Sequence, residues 1–229
     1  MTRIEFKEIE KYMLKQMQDS AHDRHHVYRV LNAALDIARH TESVVDEDVL
    51  VVSCLLHDIG REAQFADIEN ICHAEFGGKM AYDYLLARQW PMQKAKHVKD
   101  CISTHRFRGN NKPQSVEATI LFDADKLDVS GAIGIARTLI YEGQVMEPLY
   151  IMDENGNIIE DGGGAEISSF FQEYNYKLKN VYNSFYTEYS RKIALERQKT
   201  AMDFYNGLYN EIAVNYENGI KNYITTLNE

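Results

Sequence analysis

The stretch VLVVSCLLHDIG, residues 49–60, decides the fold. Its first part, residues 49–56, is almost wholly apolar, and a run without a polar face is typical of an element buried on all sides. The run ends in an adjacent imidazole and carboxylate, His57 and Asp58. Polar groups at the edge of a core need compensation, and one metal cation compensates both of them. The pattern therefore predicts a buried helix that delivers two metal ligands.

The composition indicates a helical globular protein. The chain has 229 residues, 45% of them hydrophobic and 26% charged, and contains three prolines. This length is sufficient for one sizeable domain, and long stretches of helical periodicity predict an all-α fold. The net charge of -10 disfavours nucleic-acid polymers and anionic membranes as partners. A phosphate substrate would therefore need a local positive site, which a metal ion can supply.

Three features predict a cytoplasmic location. Residues 1–6 lack the hydrophobic core of a signal peptide. The apolar run at 49–56 is too short to cross a bilayer. The cysteines Cys54, Cys72 and Cys101 are odd in number and lack metal-knuckle spacing, which is typical of reduced thiols in the cytoplasm.

Helical periodicity divides most of the chain into helices. Ser20 is expected to open the second helix, with Asp23 completing an imperfect capping box, and Gly60 is expected to stop the third. We expect a single domain, 1–229, with a core at about 20–140 and a C-terminal helical hairpin at about 166–226. The predicted helices cover about 4–18, from 20 onward, 46–59, 72–88, 92–105, 115–129 and 131–142, followed by two long helices within 166–226.

The helical pattern fails between about 143 and 165. Asp153 to Asn157 form a strong turn signal, and the apolar residues on either side are expected to pair as a short β-hairpin. We interpret this segment as a loop or short hairpin inserted into the bundle. Such loops often cover sites.

Nine of the fifteen tyrosines follow residue 166. They offer either a stacking platform for bases or an amphipathic hairpin that packs on the core or on a second subunit. Tyrosine at helical spacing is ordinary packing, so we favour the second interpretation. The sequence leaves open whether this tail forms a homo-oligomer.

The second predicted helix offers neighbouring histidines. At 100° per residue, His25 points away from the apolar stripe, whereas His26 lies on its flank. Arg29 lies one turn further on, beside His26. His26 is therefore the inward ligand candidate, and His25 is expected to be solvated.

Asp125 falls within the apolar face of the predicted helix at 115–129. A carboxylate in that position needs a cation or several donors. A buried salt bridge, with Arg29 or Lys126, and a metal site explain it equally well at this point.

Two further histidines point inward: His105, which shares a face with apolar residues of its helix, and His73, in the first turn of another. Inward histidines and aspartates on several helices are difficult to explain as separate structural accidents. Such a cluster suits a divalent ion, with manganese ahead of iron, cobalt, nickel, zinc or magnesium.

The segments His26–Val30, His57–Asp58 and Asp125–Asp128 resemble the signature of the HD-domain hydrolases, in which H, HD and D lie on antiparallel helices. The small stand-alone bacterial members match best. Their motifs H-x-x-R-V, L-x-H-D-I-G and D-A-D-[RK]-L-D all occur here, and the combination is specific, whereas His-Asp alone is weak. The resemblance covers about residues 20–140, and more loosely extends to about 200.

The resemblance implies that four residues bind the metal: His26, His57, Asp58 and Asp125. In some branches of the family the two middle histidines, here His73 and His105, bind a second metal. In others they face the substrate phosphates, and we expect the latter. Among the nearby cations, Lys126 and Arg61 are the candidates for phosphate contact, although a solvated surface role explains each as well.

The sequence thus predicts a metal-dependent phosphohydrolase that acts on a small phosphate ester or anhydride, in particular a nucleoside or deoxynucleoside triphosphate that it cleaves to pyrophosphate. Two alternatives stay open: an HD-type di-iron oxygenase, and a non-catalytic metal-bound interaction module. Oxygen consumption with bound iron would favour the first, and tight metal binding without turnover would favour the second.

Overall fold

The computed structural model describes residues 1–17, 24–66, 72–106, 111–162, 168–216, 219 and 222–227. Within them the regular secondary structure is helical, with one isolated antiparallel bridge, which confirms the predicted all-α fold. The helices are α1 (Arg3–Gln16), α2 (Arg24–Arg39), α3 (Glu47–Leu56), α4 (Arg61–Ala66), α5 (His73–Ala87), α6 (Met92–Ser103), α7 (Val116–Asp128), α8 (Gly131–Gln144), α9 (Phe170–Tyr176), a 3-10 helix (Leu178–Asn183), α10 (Glu188–Tyr216) and α11 (Asn222–Thr226).

Two compact units divide the chain. Unit 1 comprises residues 1–128 and 185–192, and unit 2 comprises residues 129–184 and 193–229. The single domain that the sequence predicts stays a prediction. The predicted helix start at Ser20 and Asp23 lies outside the described residues.

Helix α3 is the buried element of unit 1 and packs against α1, α2, α6 and α7. Apart from half-buried Val51, its residues from Val49 to Leu56 are buried. The side chain of Asp46 caps the helix by accepting a hydrogen bond from the Val49 amide at 3.2 Å. The apolar run therefore forms the buried helix that the sequence predicts.

Helix α3 ends earlier than its predicted end at Ile59. It stops at Leu56, and a turn over residues 57–60 follows, in which the Arg61 amide donates to the Asp58 carbonyl at 3.1 Å. Gly60 lets this turn approach α5 closely, since a Cβ atom there would lie 2.3 Å from the His73 carbonyl oxygen. His57 and Asp58 are therefore presented by a tight turn held against α5.

Helix α6 also ends earlier than predicted, at Ser103 instead of near residue 105. The hydroxyl of Thr104 donates to the carbonyls of Asp100, at 2.9 Å, and Cys101, at 3.2 Å. A short hydroxyl side chain competes in this way with the backbone ladder. His105 consequently follows the helix.

The predicted insertion contains a short paired turn. Met152 and Ile158 form an antiparallel bridge, which confirms the predicted pairing across the turn. The Asp153 carboxylate accepts hydrogen bonds from the amides of Asn155, at 2.9 Å, and Asn157, at 2.7 Å. This arrangement is the side-chain turn that aspartate favours.

The prediction of two long helices after residue 166 is wrong for the first of them. The short α9 and a 3-10 helix precede one long helix, α10. Asn180 donates its side-chain amide to the carbonyls of Asn175, at 3.4 Å, and Tyr176, at 3.0 Å. Because asparagine side chains compete with the helical ladder for backbone groups, the helix ends there.

Tyrosines of unit 2 pack against one another. Tyr174 stacks on Tyr205 with ring centroids 4.4 Å apart, and Phe171 contacts Tyr205 and Tyr209 edge-on. These contacts favour the packing interpretation of the tyrosine-rich tail over a stacking platform for bases. None of the helices in the described part of the chain combines the length and apolar character that a bilayer span requires.

Candidate metal centre

His57 and Asp58 are buried in the turn after α3, with exposed fractions of 0% and 1%. The Nδ1 atom of His57 lies 2.8 Å from the Cys54 carbonyl oxygen. Because a carbonyl only accepts hydrogen bonds, His57 donates through Nδ1. Its Nε2 atom is left with a lone pair, which is the form that a metal ligand requires.

Helix α2 contributes His26, which is buried, whereas His25 is exposed as the helical wheel predicts. The Nδ1 atom of His26 donates to Oδ2 of Asp128 at 2.7 Å. The Nε2 atom of His26 lies 3.1 Å from the Nε2 atom of His57. The two imidazoles therefore face each other through their Nε2 atoms.

Carboxylates complete this group. Oδ2 of Asp58 lies 3.4 Å from Nε2 of His26 and 3.6 Å from Nε2 of His57. Asp125, on α7, places Oδ1 3.5 Å and 3.9 Å from the same two nitrogens. The structure thus brings together the four residues that the sequence predicts as metal ligands.

This group fits a divalent ion. Donor atoms that bind one ion at about 2.0–2.2 Å lie roughly 3–4 Å from one another, and the distances between the two Nε2 atoms and the carboxylate oxygens have these values. Two imidazole lone pairs 3.1 Å apart repel each other unless a proton or a cation lies between them. Oδ1, the other oxygen of Asp58, is buried without a hydrogen-bond partner among the described residues, so a donor or a cation is needed to satisfy it.

A second group shares Asp58 with the first. His73 begins α5 and places Nε2 3.5 Å from Oδ1 of Asp58, and Nε2 of His105 lies 3.6 Å from the same oxygen. The two oxygens of Asp58 therefore face different pairs of histidines. By distance, His26, His57 and Asp58 could hold one ion, and Asp58, His73 and His105 a second.

The two histidines of the second group differ in their outer hydrogen bonds. Nδ1 of His105 donates to the Ile102 carbonyl at 2.6 Å. Nδ1 of His73 lies 3.1 Å from Nη1 of Arg106. Since an arginine can only donate, His73 accepts at this nitrogen.

Residues 24–130 match the sequence model of the HD domain. These residues form an HD domain. The match contains the buried His26, the His57–Asp58 pair and Asp125, so the signature recognised in the sequence and the geometry of the centre coincide.

The chain is similar to two other bacterial proteins along most of its length. It is 27% identical to the Bacillus subtilis protein YpgQ over 199 residues, which cover 85% of this chain and 86% of YpgQ. The crystal structure of YpgQ in complex with ADP has a TM-score of 0.68 at 23% identity and covers 90% of this chain and 97% of that one. A predicted HD superfamily hydrolase from an uncultured Thermotogales bacterium has a TM-score of 0.60 at 26% identity, covering 91% and 92% of the two chains.

Three histidines of the centre, His26, His57 and His73, have widely different pKa values. Burial acts to lower the pKa of His26, but hydrogen bonds to Asp128 and Asp58 outweigh it and raise this pKa to about 9. Burial lowers the pKa of His57 to about 4. Burial and neighbouring positive charge lower the pKa of His73 to about 2. Without a metal, His26 therefore holds the proton that lies between the two Nε2 atoms.

The carboxylates of Asp58 and Asp125 remain ionised although burial opposes it. Burial alone would raise the pKa of Asp58, but neighbouring histidines and Arg61 outweigh it and hold this pKa well below its usual range. The pKa of Asp125 is lowered as well. Burial would raise it, but the charges of His26 and His57 outweigh burial. Ionised carboxylates and a neutral His57 are the protonation states that metal binding requires.

The two predicted phosphate-binding residues have different surroundings. Arg61 donates through Nε to Oδ2 of Asp58 at 2.7 Å, so it directly orients a candidate ligand. Lys126 follows Asp125, and its Nζ atom lies 5.5 Å from the ring centroid of Phe122. Contact of either residue with phosphate stays a prediction.

Sequence reasoning missed the role of Asp128. It places Oδ2 against His26 and binds Arg29 through both oxygens, at 2.6 Å and 3.0 Å. Arg29, one of the two cations considered as a salt-bridge partner for Asp125, therefore pairs with Asp128. The spacing of His26 and Arg29, matched by that of Asp125 and Asp128, is the signal that would have identified the pair.

Proposed function

We propose that this chain is a metal-dependent phosphohydrolase that acts on a small phosphate ester or anhydride. The observation that carries the proposal is the convergence of two histidine Nε2 atoms and two ionised carboxylates in a buried site of an HD domain. A bound divalent ion, manganese by preference, supplies a water whose pKa falls from about 15.7 towards about 7, and polarises a phosphoryl oxygen.

The chain's own residues have separate tasks in this proposal. His26, His57, Asp58 and Asp125 hold the ion. Arg61 holds Asp58 in place through its 2.7 Å hydrogen bond, and we assign Arg61 and Lys126 to contact with the substrate phosphate. Asp58 also orients the attacking water, because its two oxygens face different sides of the centre.

A nucleotide is the substrate class that we propose. The related YpgQ has been crystallised with ADP, and a chain of phosphates gives the ion and the neighbouring guanidinium and ammonium groups more contacts than a single phosphate does. We expect nucleoside or deoxynucleoside triphosphates to be cleaved ahead of monophosphates, with pyrophosphate as the product. The net charge of -10 disfavours RNA and DNA as substrates.

Metal analysis followed by a nucleotide panel with added manganese tests this function. Chromatography separates the products, since pyrophosphate reports attack at the α-phosphorus and orthophosphate reports attack at the end of the chain. The variants His57→Ala and Asp58→Ala should lose most metal and nearly all hydrolysis, with the helical circular dichroism kept. Absence of turnover on every mono-, di- and triphosphate with manganese, cobalt or iron would refute the phosphohydrolase, and wild-type metal content in both variants would refute the ligand assignment.

One observation favours a second candidate. By distance, the adjacent group of Asp58, His73 and His105 could hold a second ion, as an HD-type di-iron oxygenase would require. Oxygen consumption by the iron-loaded protein, without nucleotide turnover, would favour this reaction. A cytoplasmic location and a homo-oligomer stay predictions.

A further inference from the structure

Arg106 gives His73 a different hydrogen-bonding state from the other histidines of the centre. Nη1 of Arg106 lies 3.1 Å from Nδ1 of His73. A guanidinium group remains protonated in proteins and offers donors only. Nδ1 of His73 must therefore accept, and the proton of its neutral ring is placed on Nε2.

The other three histidines have the opposite arrangement. Each donates Nδ1–H to an oxygen and presents Nε2 to the centre, where it can bind an ion once any proton on it is lost. Their acceptors are Oδ2 of Asp128 for His26, the Cys54 carbonyl for His57 and the Ile102 carbonyl for His105. Oxygen acceptors of this kind accompany metal-ligating histidines in proteins generally.

The tautomer of His73 removes a ligand from the second group. Its Nε2 atom lies 3.5 Å from Oδ1 of Asp58, but this nitrogen can bind an ion only if its proton moves to Nδ1, the atom to which Arg106 already donates. Asp58 and His105 are then the two remaining donors of this group. Catalytic metal sites usually have three protein ligands or more, so a second ion would be weakly held.

The positive charge of a neighbouring arginine also disfavours a second ion. Arg106 contacts His73. A second divalent cation in this group would lie beside its guanidinium group in a buried site, where repulsion is poorly screened.

We propose that Arg106 is a positioning residue that fixes His73 as its Nε2–H tautomer and thereby restricts the centre to one tightly held ion. The inference rests on the metal centre of the proposed function and is independent of the identity of the substrate. It also leaves Nε2 of His73 as a hydrogen-bond donor beside the single ion.

The first test reads the tautomers directly. Metal-free protein labelled with ¹⁵N at histidine is studied by long-range ¹H–¹⁵N correlation, with each ring assigned by a His→Gln variant. His73 should show the Nε2–H pattern, while His57 and His105 show the Nδ1–H pattern. An Nδ1–H pattern for His73 would overturn the proposal.

The second test counts ions. Wild-type protein should retain one manganese per chain after gel filtration, and Arg106→Leu should bind a second ion at least tenfold more tightly than wild type does. Arg106→Lys keeps a donor and a charge, and should keep one ion and the Nε2–H tautomer. Arg88→Leu is a matched control, because Arg88 pairs with Glu8 on the surface and its loss should change neither readout.

The outcomes separate this inference from the proposed function. Two tightly held ions in the wild type would overturn the role of Arg106 and leave hydrolysis intact. A wild type that binds no ion would overturn both. If Arg106→Leu does not fold, the wild-type tautomer and the ion count of Arg106→Lys decide the question.

Discussion

The Nδ1 atom of His26 lies 2.7 Å from Oδ2 of Asp128, a residue 102 positions away in the sequence. Arg29 binds the same carboxylate through Nε and Nη2, at 2.6 Å and 3.0 Å. The carboxylate thus orients the ring from behind and leaves Nε2 facing His57. Such carboxylate–histidine pairs fix the tautomer of a metal ligand and raise its basicity.

Asp128→Asn should weaken metal binding by about 10–100-fold. The amide keeps the shape of the side chain, but it is a weaker acceptor for His26 and loses the ion pair with Arg29. Manganese affinity measured by titration calorimetry is the readout. Asp100→Asn is the control, since Asp100 pairs with Lys96 on the surface, and equal affinities of the two variants would contradict the role of Asp128.

The neighbours His26 and His25 should behave in opposite ways. His26 is buried in the centre and His25 is exposed, so His26→Ala should lose most bound metal and hydrolysis, whereas His25→Ala should retain both. Elemental analysis and a nucleotide assay on the two variants measure this. If His25→Ala were the inactive variant, the phase assigned to α2 would be wrong.

Metal binding should release one proton per ion at pH 6.5. The pKa of His26 is raised to about 9, so the ring is protonated below that pH and must lose its proton when Nε2 binds an ion. His57, with a pKa of about 4, is already neutral. Metal affinity should therefore rise about tenfold per pH unit towards pH 9 and then level off.

Titration calorimetry in buffers of different ionisation enthalpy counts the released protons. At pH 6.5 a metal-bound water, with a pKa of about 7 or above, contributes few of them. The variant Asp128→Asn removes the largest cause that raises the pKa of His26, so it should release fewer protons. Zero release by the wild type would show that His26 does not bind the ion through Nε2.

Local patterns identified much of the centre, because helical phase and apolar context are properties of short segments. The flank position of His26 and the end of the apolar run at His57 were sufficient to place both residues inside. Contacts between distant segments were not accessible in this way. Asp128 meets His26, and Arg106 meets His73, only after the helices have packed, and the tautomer of each ring depends on that partner.

The ends of the helices, too, could not be predicted from local sequence patterns. Periodicity predicted α3 and α6 but extended both, because the turn after α3 depends on its approach to α5 and the end of α6 on a side-chain hydroxyl. Neither interaction leaves a periodic pattern of apolar residues in the sequence. The side chain of Asn180, at the end of α9, acts through hydrogen bonds as well.

Gly60→Ala should destabilise both the fold and the metal centre. A Cβ atom at Gly60 would lie 2.3 Å from the His73 carbonyl oxygen and 2.7 Å from the Gly77 amide nitrogen, so the turn that carries His57 and Asp58 must move away from α5. Overpacking of this kind costs about 1–3 kcal/mol in the free energy of unfolding, measured here by urea denaturation of the metal-free protein. The displaced turn should also lower manganese affinity.

Gly143→Ala is the matched control. Gly143 lies in α8, and a Cβ atom there meets no atom within 4 Å. Because alanine has a higher helix propensity than glycine, the unfolding free energy should stay the same or rise by up to about 1 kcal/mol, with metal affinity unchanged. Wild-type stability and metal affinity in Gly60→Ala would mean that the turn does not depend on close contact with α5, and that the placement of His57 and Asp58 has another cause.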